Sequence, residues 1–262
     1  MKRIKLIVAY EGSAYHGWQY QTNAVTIEAI LNKTLSQLLQ EEITVIGASR
    51  TDAGVHSMGN VAVFDTNTRI PAEKLSYALN QRLPQDIVVQ DSREVMPDFH
   101  PRFCESRKIY EYRILNRKFP MPLYRRNTYF HHYPLEISKM KKAAEYLIGE
   151  HDFASFCSLN TQVESTIRTI YSLEIQVTKL ESFRNNHECE NELEQGQLIT
   201  IRITGNGFLY NMVRIIAGTL LQIGSAKKQP EEIQHMLEQK NRAAAGPTAP
   251  AVGLTMIGIE YL

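Results

Sequence analysis

Thr26-Ile27-Glu28-Ala29-Ile30-Leu31-Asn32-Lys33-Thr34-Leu35-Ser36-Gln37-Leu38-Leu39-Gln40 is the stretch from which the fold can be read. Ile27, Ile30, Leu31, Leu35, Leu38 and Leu39 recur at intervals that place them on one face of a helix. Thr26 stands where a hydroxyl can accept a backbone N–H of the first turn. Upstream, Ile4-Lys5-Leu6-Ile7-Val8-Ala9-Tyr10 alternates as a strand does. Downstream, residues 43–47 form a short apolar strand and residues 59–65 (Gly-Asn-Val-Ala-Val-Phe-Asp) another. Pro71 suits a first helical turn, and that helix is predicted to run to about Arg82. Ile87 to Val95 is again strand-like, so the order is β-α-β-β-α-β.

The remainder repeats this order. Lys108 to Leu115 alternates as a strand, Ser138 to Ile148 is a helix stopped by Gly149, and Thr169 to Val177 and Leu198 to Thr204 are strands. Tyr210 to Ile223 is an apolar helix, Pro230 to Gln239 a short polar one, and Leu254 to Tyr261 a last strand. The acid-rich residues 181–196 read as a polar loop between two strands. Each half matches the split βαβ, ferredoxin-like arrangement, in which four antiparallel strands lie beside two helices. The expected class is therefore α+β, two pseudo-symmetric ferredoxin-like (RRM-like) βαββαβ halves with antiparallel sheets. The division falls near Cys104, giving domains 1–104 and 105–262. Small RNA-recognition domains use such a sheet as a platform, although the arrangement is a superfold and implies no function by itself.

With 43% hydrophobic and 22% charged residues among 262, the composition is ordinary for a globular chain. No apolar run reaches the ~18 residues that a membrane span needs. The basic start, Met1 to Lys5, is followed by an apolar stretch too short for a signal peptide, so a cytoplasmic protein without membrane contact is expected. Cys104, Cys157 and Cys189 are far apart, which argues against a structural zinc site or a disulfide framework. No HExxH, EF-hand or P-loop pattern is present, so no metal or nucleotide cofactor is expected. The net charge of +1 says little, but its distribution says more. Residues 105–130 hold seven Lys/Arg against two Glu, whereas residues 131–196 hold six basic and eleven acidic residues. The first stretch could track a polyanion, or both could be solvated faces.

Residues 47–60, Gly-Ala-Ser-Arg-Thr-Asp-Ala-Gly-Val-His-Ser-Met-Gly-Asn, lie between two predicted strands. Gly, Ser and Asp here suit a tight connection. Yet Arg50, Asp52 and His56 crowd a loop that a sheet would hold still, as binding and catalytic groups commonly are. Arg50 could keep Asp52 ionised, and an ionised carboxylate is a competent nucleophile. His56 could equally make a loop hydrogen bond or meet substrate. Trp18 could stack on RNA or be buried in a loop corner. His131-His132, adjacent on a strand, would point to opposite sides and so make a poor metal pair.

Arg50-Thr51-Asp52-Ala53-Gly54-Val55-His56 resembles the signature of the TruA family of tRNA pseudouridine synthases. Five further segments are similar to the family in the same order: Tyr10 to Gln19, Phe99 to Phe103 followed by Lys108 to Ile114, Gly149-Glu150-His151-Asp152-Phe153, Gly207 to Arg214, and Ala245 to Leu254. Ser49, Asn60 and Pro101 depart from the family's usual Gly, Gln and Ala. None of them removes a reacting group.

The resemblance implies an isomerase that converts uridine to pseudouridine with no cofactor. Asp52 would be the catalytic aspartate, acting at the sugar either as nucleophile on the anomeric carbon or as base at the neighbouring carbon. Tyr110 would stack on the base and take part in losing its C5 proton. Arg50 would fill the space left by the flipped base and pair with Asp52, and Arg214 would face the carboxylate. From the residues alone, Tyr110 could be a core aromatic of its strand and Arg214 a helix-surface residue with a buried stem. The resemblance further implies a basic cleft between the halves, a homodimer, and uridines 38, 39 and 40 of the tRNA anticodon stem-loop as targets. The competing readings are a paralogue acting on other tRNA positions or another RNA, a non-catalytic RNA-binding protein, and a nucleoside glycosidase, which would need a second placed acid.

Overall fold

The computed structural model describes residues 1–158, 164–180 and 196–262. All but Gly196 of the predicted polar loop lies outside them. The chain divides into two compact units, one of Met1–Arg107 with Thr255–Leu262 and one of Lys108–Leu254.

In the first unit, β1 (Lys2–Tyr10), α1 (Ile27–Leu39), β2 (Ile46–Gly47), β3 (His56–Thr66), α2 (Leu75–Asn80) and β4 (Ile87–Val95) follow in the predicted order. β1 is central, antiparallel to β3 from Lys2↔Thr66 onward and to β4 from Arg3↔Val95 onward. The other edge of β3 is shared. β2 pairs antiparallel with it at Ile46↔Val63, and the last strand, β10 (Leu254–Tyr261), pairs parallel at Thr255↔His56 and Met256↔Ser57. The order β4-β1-β3-β2 is the ferredoxin-like one.

Alternation explains the core. Ile4, Leu6, Val8 and Tyr10 of β1 join Ala62, Phe64, Ile87 and Val89 on one face, against Ile27, Leu31 and Leu35 of α1. Fully burying one such aliphatic side chain stabilises by roughly 1.5–3 kcal/mol. Thr26 caps α1, its hydroxyl accepting the Ala29 N–H at 3.3 Å. On the opposite face Arg3 grips Asp65 with two bonds, of 2.8 and 2.7 Å, which holds the Asp65 carboxyl below its usual range.

Two elements are shorter than their patterns suggest, each because a side chain takes a backbone group. Residues 43–45 do not extend β2, since the Ile43 and Val45 N–H groups donate to Ser36 Oγ and Asn32 Oδ1 of α1, both at 2.9 Å. The helix expected from Pro71 opens instead as a 3-10 turn, Ala72–Lys74. There Ser92 Oγ stands between the Ser76 N–H (2.8 Å) and the Ala72 carbonyl (2.7 Å), the two groups that an α-helix would join.

The second unit holds β5 (Ser106–Asn116, its first two residues counted with the first unit), β6 (Tyr129–His131), α3 (Ile137–Glu145), β7 (Gly149–Asp152), β8 (Ile167–Lys179), β9 (Gln197–Gly205), α4 (Met212–Gly224) and α5 (Glu232–Gln239). β9 lies antiparallel between β5 (Tyr110↔Ile203) and β8 (Leu173↔Ile203), and β7 extends the sheet beyond β8. β6 and β7 were not read from the sequence. The helix expected to run to Ile148 ends at Glu145, and Gly149, at a φ of +111°, opens β7 instead of capping the helix. α4 is buried at all but two of its 13 residues, as its all-round apolar sequence requires. Among the described residues no helix is long and apolar enough to cross a membrane.

Candidate active site

Asp52 sits half-buried at the start of a turn closed by the Val55 N–H on its own carbonyl at 3.1 Å, with Gly54 at φ +78°. The loop is held from three sides. From β3, Asn60 Nδ2 donates to the Ser49 carbonyl at 3.0 Å and the Val61 carbonyl accepts the Ala48 N–H at 2.8 Å. From the end of β1, the Tyr10 hydroxyl shares a buried 2.8 Å hydrogen bond with Thr51 Oγ1. From the segment between β1 and α1, the Trp18 N–H donates to the Thr51 carbonyl (3.1 Å), and the Tyr15 carbonyl accepts the Gly54 N–H (3.2 Å).

That segment is itself tied down. Its Gly17 and Trp18 carbonyls accept the first N–H groups of α1, from Ile27 at 3.2 Å and Glu28 at 3.0 Å. The Tyr15 hydroxyl donates to Asp86 at 2.6 Å, and burial raises its pKa, so it remains a donor. The unmade helix bonds of α1 thus position the loop that positions Asp52.

His56 is buried at the start of β3, and its Nδ1 accepts the Gly12 N–H at 3.0 Å, which is the loop hydrogen bond weighed from the sequence. Trp18 is 1% exposed and packs by Tyr10, so burial rather than RNA stacking is its part. Arg50 is exposed two residues before Asp52. Near it lies Arg102, whose pKa is lowered first by burial and then by the charge of Arg50.

Tyr110 and Arg214 belong to the second unit. Tyr110 faces Ile203 across β5 and β9, is 6% exposed, and meets the Phe208 ring edge-on at 5.3 Å. Arg214, in the first turn of α4, donates from Nε to the Ala249 carbonyl (2.8 Å) and from Nη1 to Asn211 Oδ1 (2.7 Å). Its own carbonyl accepts the Ala249 N–H at 3.1 Å, so residues 246–250 are strapped along the helix. Gly218 permits this approach, since a Cβ there would lie 1.9 Å from the Pro247 carbonyl. The basic stretch 105–130 divides: Arg107, Lys118, Arg125 and Arg126 are exposed, while Arg113 is spent on the buried Glu111 at 3.4 Å, which Arg202 of β9 also meets at 2.7 Å. Among the described residues no group of three or more His, Cys, Asp or Glu is arranged to hold a metal ion.

Tyr10 and Thr51 are positioning residues that the sequence does not single out, and Asn60, marked there only as standing in place of Gln, is a third. They lie inside or beside the quoted motifs, but a hydroxyl bonded across 41 residues leaves no local signal. Tyr10→Phe strands a buried Thr51 hydroxyl, at a cost of about 1–3 kcal/mol. It is expected to lower turnover about tenfold with little change in KM for RNA, as steady-state kinetics with denaturant melts would show.

The loop so held, with the half-buried Asp52 and the exposed Arg50 on a ferredoxin-like unit, is the candidate active site, and sequence relatives give the class of the protein. The sequence profile described as tRNA pseudouridine synthase matches residues 6–104 and 143–261. The chain is 49% identical to the tRNA pseudouridine synthase A of Thermoanaerobacter sp. (strain X514) over 261 residues, covering all of both chains. It is 43% identical to that of Ruminiclostridium cellulolyticum and 41% identical to that of Acetivibrio thermocellus, again over the whole of each. The chain belongs to the tRNA pseudouridine synthase family, isomerases that act on uridine in tRNA. Among solved structures, the archaeal box H/ACA sRNP Nop10-Cbf5 complex is similar at 10% identity, with 97% of this chain and 46% of that one covered and a TM-score of 0.31, a likeness too slight to argue from.

Proposed function

We propose that this enzyme isomerises uridines 38, 39 and 40 of the tRNA anticodon stem-loop, as a homodimer, with Asp52 as its catalytic residue. The observation that carries the reading is the Asp52 loop, clamped by backbone and buried side-chain bonds from β1, β3 and the start of α1. A reacting group held in place lowers the entropic part of the barrier.

In the reaction the bond from uracil N1 to ribose C1′ breaks, and a bond from C5 to C1′ forms. The C5 proton then leaves, and N1 gains a proton, so neither an oxidant nor an energy source is consumed. In this reading Asp52 acts at the sugar, Tyr110 stacks on the uracil, Arg50 occupies the space that the flipped base leaves, and Arg214 takes part in binding the substrate. Flipping costs a few kcal/mol, least where the base is already unpaired, which favours a stem-loop as substrate. Three adjacent targets for one site imply recognition of RNA shape rather than sequence.

The test is to incubate the protein with unmodified tRNA tritiated at uridine C5 and to map the product. Tritium release without free uracil, with pseudouridine at 38–40, is expected. Pseudouridine elsewhere would overturn the target, and free uracil would make the protein a glycosidase.

A further inference from the structure

Phe103 is 84% exposed, yet its ring is not loose. It lies nearly parallel to the His100 imidazole, with centroids 4.1 Å apart and planes 17° apart, so one face is covered and the other is open. The turn beneath is closed by the Phe103 and Cys104 N–H groups on the His100 carbonyl, both at 3.2 Å, and by the Arg102 N–H on His100 Nδ1, also at 3.2 Å. This turn is bolted to the sheet. Arg3 Nη1 donates to the Phe99 carbonyl (3.2 Å), the Tyr261 hydroxyl donates to the Pro101 carbonyl (3.1 Å), and the Phe99 and Tyr261 rings meet edge-on at 5.0 Å.

Arg102 ties the turn to the Asp52 loop, donating from Nε to the carbonyl of Gly47 at 2.7 Å, five residues before Asp52. Among the described residues Arg102 makes no ion pair. The carboxylate that acts on it, Glu28, takes the Tyr20 N–H at 2.6 Å. The residue next to the ring in the chain is thus a guanidinium without a carboxylate ion pair, and the charge of Arg50 is close enough to act on it.

We infer that the His100–Phe103 pair is a stacking platform for an unpaired nucleobase of the substrate RNA, with Arg102 attracting the adjoining backbone phosphate. What sets this ring apart from other exposed apolar side chains is that it is held in a fixed orientation with one face open. A nucleobase does so with a π-face that every base has, and it needs no sequence readout. Both faces of a base within a duplex are already stacked, so the platform selects a base in a loop. The pre-ordered turn means that little side-chain entropy is lost on binding. This inference rests on the reading that the RNA enters beside Asp52.

The test uses the full chain and a tRNA anticodon-arm hairpin. Phe103→Ala is expected to raise the Kd about tenfold, near the lower end of what base–aromatic stacking contributes. Phe103→Leu, apolar but without a π-face, should bind as weakly. Phe103→Trp should restore binding, and its emission should be quenched by the hairpin, readable because Trp18 is 1% exposed. With one loop nucleotide made abasic, wild type should lose the same factor and Phe103→Ala nothing more. Unchanged affinity in Phe103→Ala, an equal loss on a loop-free duplex, or a shift in self-association instead of RNA affinity would overturn the platform. Asp52→Ala protein separates the two readings. If it retained turnover, the catalytic assignment would fail while the Phe103 effect on binding stood.

Discussion

Asp52→Ala is expected to abolish turnover, with tritium release from C5-labelled uridine in tRNA falling by on the order of 10⁴-fold or more. No second group can replace a carboxylate that acts directly at the ribose, and removal of an attacking residue commonly leaves only what binding and electrostatics supply. The loop should keep its shape. Backbone and buried side-chain bonds through the Ser49, Thr51 and Asp52 carbonyls, the Thr51 hydroxyl and the Gly54 N–H remain available to hold it in the variant. The substitution should cost about 0.5–3 kcal/mol of stability, as single substitutions usually do, and change tRNA affinity by no more than a few-fold. Single-turnover tritium release, a filter-binding isotherm and a thermal melt on the same preparation decide it. Substantial turnover in a folded, tRNA-binding variant would remove Asp52 from the mechanism.

The second large effect is expected at a residue that touches no substrate. Gly17 adopts φ +85°, and a Cβ built there would lie 2.5 Å from the Thr51 carbonyl oxygen. Alanine in that conformation costs roughly 1–2 kcal/mol before the clash is counted. Because the obstacle is backbone, relief must come from moving either residues 16–18 or the loop around Asp52. Both routes stretch the Trp18 N–H to Thr51 carbonyl bond, now 3.1 Å. A displacement of 1 Å at a reacting group is worth about 10²-fold in rate. Gly17→Ala should thus lose about 10²-fold in turnover and several degrees in melting temperature while still binding tRNA. A variant destabilised as expected but fully active would show that the fixed geometry of the loop does not matter to the chemistry.

Much of the architecture was legible because it is periodic. The three- and four-residue spacing through α1, the alternation in β1 and the apolar run of α4 are local patterns, and each produced its element within a few residues. The Thr26 cap was equally readable, since it acts on a backbone N–H three residues away. What escaped notice was settled by distant partners. Ser92 divides a helix that starts 20 residues before it, and Asn32 and Ser36 take the backbone groups that would have lengthened β2. The short strands β6 and β7, of three and four residues, are too brief to show a period.

For the site, the residue types crowded between two strands were enough to mark Asp52, Arg50 and His56, and the ordered motifs added Tyr110 and Arg214. Those motifs could not say which members carry chemistry and which hold it. Trp18 and His56 each had a structural and an RNA-facing reading, and burial assigned Trp18 to the core and the ring nitrogen of His56 to the Gly12 N–H.

The sequence by itself determined the α+β class and the order of the longer elements, and it marked the carboxylate proposed as catalytic, because hydrophobic period, capping and motif order are properties of neighbours along the chain. Only the tertiary structure decided how that carboxylate is held. Tyr10 to Thr51, Gly12 to His56 and Gly17 to Thr51 are contacts across more than 30 residues, and they exist only once β1, β3 and α1 have packed on a common core. The parallel seating of β10 beside His56 and Ser57 has the same origin, since the final strand of the chain meets the strand that follows the Asp52 loop only after the sheet has formed.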